Sequence, residues 1–391
     1  MGSGKEPPLW QSGHLTKVYW IRHAEAEGNL YRRCHGQYDS LVTENGKAQL
    51  AALERRFDGV EIDAVYTSDL YRARRTADAL AQPRGLAAIK HKGLREIDLG
   101  PWEDLPWLEV AQRYPEEYDI FTHKMWEFDI AGAEPVTAVA ERGMKTLAEI
   151  AARHRGQTVA IVSHGVLTRS VMTLVSGYRL DQINVMPHGD NTSVSYFEIA
   201  NGKFDVQSYA DNSHLGELST IAKQNWWREG NARDAELAFD PVDLPRENDL
   251  VDGFRRNAWW AVYQSEEGYH ADKTVAEVKR CARQHPRAAV VVRNVNTPVG
   301  FLLLDTLQKA DEGYGHISLL TLDPAYRGKG LGVQLIGYAV SVYRALGRKA
   351  LHLRVADTNE RAIRFYRKLG FTQTGVEEAE YRPLVVMVMG I

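Results

Sequence analysis

Short runs of β-branched and aromatic residues alternate with stretches of helical period along the first half of the chain. KVYWI (17–21), DAVYT (63–67) and TVAIVS (158–163) read as strands. TENGKAQLAALERRF (43–57), SDLYRARRTADALA (68–81) and VLTRSVMTLVSG (166–177) instead place apolar residues every three or four positions. This alternation predicts βαβ units, a parallel sheet covered by helices. Between Leu99 and Pro135 the Trp- and Pro-rich sequence loses strand character, which predicts a helical insertion over one edge of the sheet. TSVSYFEIANGKFDVQSY (192–209) predicts a closing hairpin that turns at Asn201-Gly202, because Asn-Gly tolerates the positive φ angles of a tight turn.

A first domain is expected over residues 1–215, followed by a polar, helix-compatible connector over 216–236 that has too few Gly and Ser for a flexible linker. The rest, 237–391, changes character. It offers a helix at 273–284, strands AAVVVRNV and PVGFLLLD meeting at Asn296-Thr297, a strand at 315–322 and a helix from 330. Strand LHLRV, helix ERAIRFYRKL and strand PLVVMVM complete an α+β pattern. No internal repeat interrupts either part.

Composition narrows the class. At 391 residues the chain has room for more than one core, and its 44 % hydrophobic and 25 % charged residues are those of a folding globular protein. The net charge is −3, and neither half carries the basic excess of a nucleic-acid binder. Cys34 and Cys281 are far apart, which rules out a disulfide framework or a thiolate zinc cluster and suits a reducing cytoplasm. KEPPLWQSGHLTK lacks the apolar stretch of a secretory signal, and no apolar run approaches the roughly 20 residues of a membrane span. The expectation is a cytoplasmic enzyme with neither membrane nor nucleic acid as partner.

The candidate chemistry begins where strands hand over to loops. Arg22-His23 follows KVYWI and Ser163-His164-Gly165 follows TVAIVS, the strand ends where open α/β sheets form their ligand crevice. Arg72, on the first turn of the helix after DAVYT, faces the same rim. Two arginines and two histidines around an anion-sized space match a phosphoryl group, which guanidinium forks bind bidentately.

In these residues the chain resembles the histidine phosphatase (phosphoglycerate-mutase-like) superfamily. The matching pieces are Arg22-His23-Ala24-Glu25 with Asn29; His35-Gly36-Gln37 with Asp39, Thr43 and Gly46; Ser68 to Ala77; Leu94-Arg95-Glu96; and Ser163-His164-Gly165. The resemblance implies a three-layer α/β/α domain and no metal. It gives His23 the role of nucleophile, Arg22, Arg72 and His164 that of phosphoryl holders, and Glu96 that of proton donor. Asn29, Gly36 and Gln37 fall at its substrate positions. Ala24 stands where the family usually has glycine, as does Asp104 after the Trp-Glu pair. Gly28 replaces the tryptophan usual in the mutases, which favours a phosphatase of small phosphorylated metabolites over a mutase.

In the second part, strand HISLLTL leads through Asp323-Pro324-Ala325-Tyr326 into Arg327-Gly328-Lys329-Gly330-Leu331-Gly332 and a helix. Glycines before a helix N-terminus let backbone amides cradle a pyrophosphate. With Asn359, Ala362, Phe365, Tyr366, Lys368, Gly370 and Phe371 after the next strand, this part resembles the GNAT acetyltransferase superfamily. The resemblance implies acetyl-CoA as co-substrate, its pyrophosphate on Arg327 to Gly332, its pantetheine beside Leu322 and Asn359, and Tyr366 as proton donor to the departing thiolate. The acceptor is a small-molecule or peptide amine, and His316, Asp305, Glu380 or a water stand as alternative bases. The whole reads as a bifunctional phosphatase and N-acetyltransferase, against a phosphatase with a non-catalytic acetyl-CoA-sensing domain. Trp226-Trp227 and Trp259-Trp260 read as packing anchors, His14 as a surface residue, Cys34 beside His35 either as a thiol with a role or as a small residue near the phosphate loop, and His188, in PHGDNTSVS, as a candidate for substrate contact.

Overall fold

The computed structural model describes residues 14–229 and 235–391, with side chains described outside 225–234. The opening segment and the Trp226-Trp227 side chains fall outside the described part. The chain divides into two compact units. One comprises residues up to Asn29, Cys34–Leu105 and Val110–Trp226; the other comprises Leu30–Arg33, Pro106–Glu109 and Trp227–Ile391.

The first unit is built on β1 (Thr16–Arg22), β2 (Ala64–Thr67), β3 (Ile89–Lys90), β4 (Thr158–Ser163), β5 (Val194–Ala200) and β6 (Lys203–Asp211), in the order β3-β2-β4-β1-β5-β6. The first four strands run parallel, and β5 and β6 close the sheet antiparallel. The connecting helices are α1 (Glu27–Tyr31), α2 (Glu44–Arg56), α3 (Tyr71–Ala81), α4 (Trp107–Arg113), α5 (Pro115–His123), α6 (Val136–Arg153), α7 (Gly165–Val175) and α8 (Thr220–Glu229). Successive residues of β1 face opposite ways, and both faces are covered. Ile21 packs with Leu53 and Phe57 of α2 and with Ala73, Ala77 and Leu80 of α3. Its neighbour Trp20 is fully buried on the other face, donating its indole N–H to Thr168 of α7 at 2.9 Å. A Cβ at Gly143 of α6 would lie 2.6 Å from both Leu167 and Val171 of α7, so the glycine sets how closely these helices pack. The result is a three-layer α/β/α arrangement.

The stretch between Leu99 and Pro135 is helical, as its sequence predicts, with Trp102, Phe121 and Phe128 stacked edge to face beneath it. The β5–β6 hairpin turns at Asn201 (φ 51°) and Gly202 (φ 75°), the left-handed pair that Asn-Gly favours. The polar stretch after Leu215 folds into a short 3-10 turn and α8.

The second unit contains β7 (Ala238–Pro241), β8 (Ala289–Asn294), β9 (Thr297–Asp305), β10 (Tyr314–Leu322), β11 (Ala350–Ala356), β12 (Thr372–Glu377) and β13 (Leu384–Gly390), ordered β12-β13-β11-β10-β9-β8-β7. Helices α9 (Asn248–Tyr263) and α10 (Ala271–Gln284) precede β8; α11 (Gly332–Ala345) and α12 (Glu360–Lys368) flank β11. Every named strand pair here is antiparallel except β10 with β11, which α11 joins as the crossover that parallel neighbours require. The β8–β9 turn falls on Val295-Asn296, one residue before the expected place, because Asn294 and Thr297 already face each other across the ladder. Helix α11 begins at Gly332 rather than 330, since Gly328 (φ 84°) and Gly330 (φ 74°) hold the preceding chain in a left-handed conformation that no helix continues. Among the described residues no helix is long and apolar enough to cross a membrane.

Candidate active sites

Strands β1 and β4 are parallel neighbours with Arg22 opposite Ser163, so the next residue of each, His23 and His164, leaves the sheet side by side. The His23 amide donates to the Ser163 carbonyl at 2.9 Å, and the two imidazoles face each other with centroids 5.0 Å apart. Nδ1 of His23 lies 2.7 Å from the Ala24 carbonyl. A carbonyl only accepts, so Nδ1 carries the proton and Nε2 keeps its lone pair. Burial, followed by the charges of Arg72 and Arg22, holds the His23 pKa well below the ordinary histidine value. His164 is lowered likewise, by burial first and Arg72 second. His164 is fully buried, and neither of its ring nitrogens has a hydrogen-bond partner among the described residues. Such a group carries a desolvation cost of about 1–3 kcal/mol unless something else bonds to it.

The arginines converge on these rings. Arg72, 1 % exposed, donates to the carbonyls of Gly36 (2.6 Å), Tyr38 (2.9 Å) and His35 (3.3 Å), and so shapes the loop above the histidines. Burial lowers its pKa to about 10, which leaves it charged at neutral pH. Arg22 donates to the Gly189 carbonyl at 2.5 Å. Glu96 lies at the N-terminus of α7, its carboxylate accepting from the amides of Val166 (3.0 Å) and Leu167 (3.1 Å). A Cβ at Gly165 would sit 3.4 Å from that carboxylate and 3.7 Å from the Arg22 guanidinium. His23, His164, Arg22, Arg72 and Glu96 therefore share one pocket.

The residues at the expected substrate positions are mostly engaged within the protein. Asn29 Oδ1 accepts from the Ala26 amide at 3.1 Å and from Asn191 at 3.3 Å. Gly36 allows a close approach, since a Cβ there would lie 2.3 Å from the Ile97 carbonyl. Gln37 accepts from Arg95 (3.0 Å) and donates to the Glu96 carbonyl (3.3 Å).

In the second unit the β10–β11 pairing stops at Ile317 and Leu353, although β10 runs on to Leu322 and β11 to Ala356. A bulge between Ile317 and Leu319 marks the point of parting. The strands thus open a wedge whose mouth is the glycine loop at the start of α11. Three cations surround that loop: Arg327, Lys329 and Arg361, the last 3.0 Å from where a Gly328 Cβ would be. An extended arm ending in a pyrophosphate fits this wedge and loop, so the residues suit acetyl-CoA. Arg327 also donates to the Leu322 carbonyl at 2.6 Å, and Asn359 caps α12 by accepting from the Ala362 amide. Tyr366 is 8 % exposed between Phe365 and Phe371, and burial pushes its phenol up to about 12.

The family model of the histidine phosphatase superfamily (branch 1) matches residues 18–212, and that of the acetyltransferase (GNAT) family matches 255–371. The chain is 31 % identical to phosphoserine phosphatase 1 of Hydrogenobacter thermophilus, over 52 % of its own length and 96 % of that protein's. The chain belongs to the histidine phosphatase superfamily. It carries a GNAT domain as its second part. It is also 31 % identical to a metal-independent phosphoserine phosphatase of Arabidopsis thaliana, covering 54 % of this chain and 87 % of that one. The solved structure of Bacillus stearothermophilus YhfR aligns with a TM-score of 0.50 and 34 % identity, over 51 % of this chain and 98 % of that one.

Several residues of the histidine phosphatase pocket escaped the sequence reading. Glu103 accepts from the Gln37 amide (2.7 Å), the Tyr38 amide (2.9 Å) and the Leu99 amide (3.1 Å), and so ties the loop of Gln37 and Tyr38 to Leu99. Arg142 ties the Glu96 carbonyl (2.9 Å) to Glu134. Asn191 donates to the His23 carbonyl at 3.0 Å. Within PHGDNTSVS, His188 is exposed and lies 3.2 Å from Arg169, and Asn191 is the member that reaches the loop of His23. Asp104 takes a left-handed backbone (φ 60°) and lies 3.2 Å from His35, which accounts for the glycine usual at its position. His14 is exposed, as expected, and Cys34 is fully buried. Of the Trp259-Trp260 pair only Trp259 packs, against Tyr263 and Tyr381; Trp260 is 49 % exposed.

Proposed function

We propose that the chain is a bifunctional enzyme: a phosphomonoesterase working through phosphohistidine, joined to an acetyl-CoA-dependent amine acetyltransferase, with the two halves over 1–215 and 237–391. The observation that carries the first activity is the tautomer of His23. Its Nδ1–H is bound by a carbonyl, leaving a neutral, lone-pair-bearing Nε2 opposite the unpartnered nitrogens of His164. Nε2 attacks phosphorus in line, Arg22 and Arg72 neutralise charge on the phosphoryl oxygens, the neutral His164 donates a ring N–H to one of them, and Glu96 gives its proton to the leaving oxygen. The water that then breaks the phosphohistidine loses its proton to the same carboxylate. Asn29, Gly36 and Gln37 line the substrate side.

The relatives named as phosphoserine phosphatases make phosphoserine the first ester to try, and one of them is metal-independent by name. In the second half the backbone of Arg327 to Gly332 holds the pyrophosphate, the open edge of β10 near Leu322 pairs with the arm, Asn359 borders it, and Tyr366 protonates the thiolate. Acetyl-CoA, when bound, supplies the thioester carbonyl for attack by an amine. The cytoplasm, with its small phosphorylated metabolites and amines, is the setting this reading calls for. The test is rapid neutral quenching with 32P-labelled phosphoserine, alongside a wider screen of phosphomonoesters run with acetyl-CoA and mass detection. Label on the unmodified protein that disappears in His23→Ala is expected; undiminished label in that variant refutes the nucleophile.

A further inference from the structure

At the root of the β10–β11 wedge two histidines meet. His316 and His352 are Cα partners in the parallel ladder, one step before the last pair Ile317 and Leu353. Their Nδ1 atoms are 2.8 Å apart, and both side chains are buried. Two imidazole nitrogens at that distance share one hydrogen, so one ring donates and the other accepts. The backbone fixes His316 further: the Tyr343 hydroxyl donates to its carbonyl at 2.5 Å, and Asp305 stands opposite it on β9.

The pair lies where the acetyl end of the cofactor belongs. Five residue steps separate Leu322, beside the glycine loop, from Ile317, about 17 Å at the rise of a strand. That is the reach of an extended pantetheine arm laid along the unpaired edge of β10. A thioester carried by such an arm ends at the bulge, next to His316.

We propose that the His316–His352 pair is the proton acceptor for the amine in acetyl transfer, with His316 taking the proton and His352 positioning and stabilising it. This rests on the acetyltransferase reading above. Of the two ways to share that hydrogen, proton transfer to Nε2 of His316 requires the one in which His352 accepts at Nδ1 and carries its own hydrogen on Nε2. His316 then carries its hydrogen on Nδ1, donates it to His352, and presents a bare Nε2. The amine nitrogen bonds to the thioester carbon, its surplus proton passes to Nε2 of His316, and the C–S bond breaks, with the sulfur leaving as a thiolate that Tyr366 protonates. The imidazolium so formed is stabilised by its Nδ1–H···Nδ1 bond to His352 and loses its proton to solvent once the amide departs.

A strong base is not needed, because nitrogen becomes far more acidic once it has added to the carbonyl. Burial, His352 and Arg354 hold His316 down to about 3, so it is neutral at any working pH. The charged groups that act on the pair are Asp305, Lys309, Glu312, Arg354 and Glu377. The rate should therefore rise with pH only as the amine itself loses its proton, with no histidine inflection between about pH 5 and 8.

The experiment combines calorimetry, 15N-histidine NMR and thiol release in the full chain, with acetyl-CoA and benzylamine as probes. Two histidines of opposite tautomer sharing a hydrogen are expected, and their signals should move on adding acetyl-CoA alone. His316→Asn, which keeps a group near the Nδ1 position but cannot carry the proton, should bind acetyl-CoA with unchanged heat and lose about 10²-fold or more in thiol release. His352→Asn should lose less. Absence of binding heat in the unmodified chain defeats the acetyltransferase reading itself. Binding heat with unmoved histidine signals, or undiminished thiol release in His316→Asn, overturns the inference about the pair while leaving that reading in place. Should His316→Asn fail to fold, the NMR response of the unmodified protein still decides.

Discussion

At the scale of single residues, the groups proposed to react were legible in the sequence and the residues that hold them were not. Arg22, His23, Arg72 and His164 fall at strand ends or on a first helical turn, places that periodicity locates, whereas Glu96 lies in a loop and was picked out by the family resemblance of Leu94-Arg95-Glu96. Glu103, Arg142 and Asn191 act by bonding to backbone atoms of distant segments, and no local pattern announces such partners. Two expectations belong here. Glu96→Gln should lower kcat/KM for esters of poorly acidic alcohols by about 10²–10⁴-fold yet leave it nearly untouched for aryl phosphates, since only the former need a proton at the leaving oxygen, while kcat falls for both because the same carboxylate takes the proton of the hydrolytic water. Values of kcat/KM on phosphoserine and 4-nitrophenyl phosphate decide this, and an equal drop in both assigns Glu96 to structure alone. The second concerns pH. His23 and His164 have folded pKa values well below about 6.5, the unfolded value. Below that value the unfolded chain binds more protons than the folded one, so stability is present above it and declines as pH falls through it. Urea midpoints should fall between pH 7.5 and 5.5, and fall less in His23→Asn. His214, lowered to about 4 by burial and by Arg56, adds to the same trend and stays in both proteins, so the difference isolates His23.

At the scale of elements, the central strands and the helices covering them declare themselves because burial imposes a pattern. Strand β4 is almost wholly buried and reads as TVAIVS, while the edge strand β12 reads TQTGVE and is mostly exposed, so nothing selects an apolar alternation there. The four-residue edge strand β7, with its proline, escaped prediction for the same reason. Helix α8 was foreseen only as a helix-compatible stretch, and its anchor was invisible. Asp190 accepts from the amides of Thr220 (3.1 Å) and Ile221 (3.3 Å) and from the Ser219 hydroxyl, capping the helix from a loop that also carries Asn191. One short segment thus holds both the start of α8 and the backbone of His23. Asp190→Ala should cost about 0.5–2 kcal/mol of stability through the lost cap. Because Asn191 moves with it, phosphate release should weaken even where the protein is fully folded. Urea titration paired with kcat at a temperature well below melting tests both parts. A destabilised protein with normal kcat would show that the segment holds α8 without steering His23.

At the scale of the whole molecule, the two proposed chemistries fall in the two compact units, and every group assigned to one of them lies within one unit. The phosphoryl pocket draws on β1, α3, β4 and α7, with Glu96 in the loop before the helical insertion; the acetyl-CoA wedge draws on β10, β11, α11 and α12. The first is selected for buried, fixed positive charge that keeps a histidine neutral, the second for backbone left open between parting strands. Neither feature needs a side chain from the other. In the full chain, His23→Asn should therefore lower phosphate release by roughly 10⁴-fold or more, as loss of a nucleophile does, and leave the calorimetric heat of acetyl-CoA unchanged. Gly330→Val should do the converse. At φ 74° a β-branched residue is strained by about 1–2 kcal/mol, and its side chain stands where the pyrophosphate must approach, so binding heat should vanish while phosphate release persists. Measuring both activities in both variants gives four numbers, two lost and two kept. If Gly330→Val also loses phosphate release while its unfolding midpoint is unchanged, the two sites are energetically coupled, and the acetyl-CoA site would have to be read as a regulator of the phosphatase as well as a site of its own reaction.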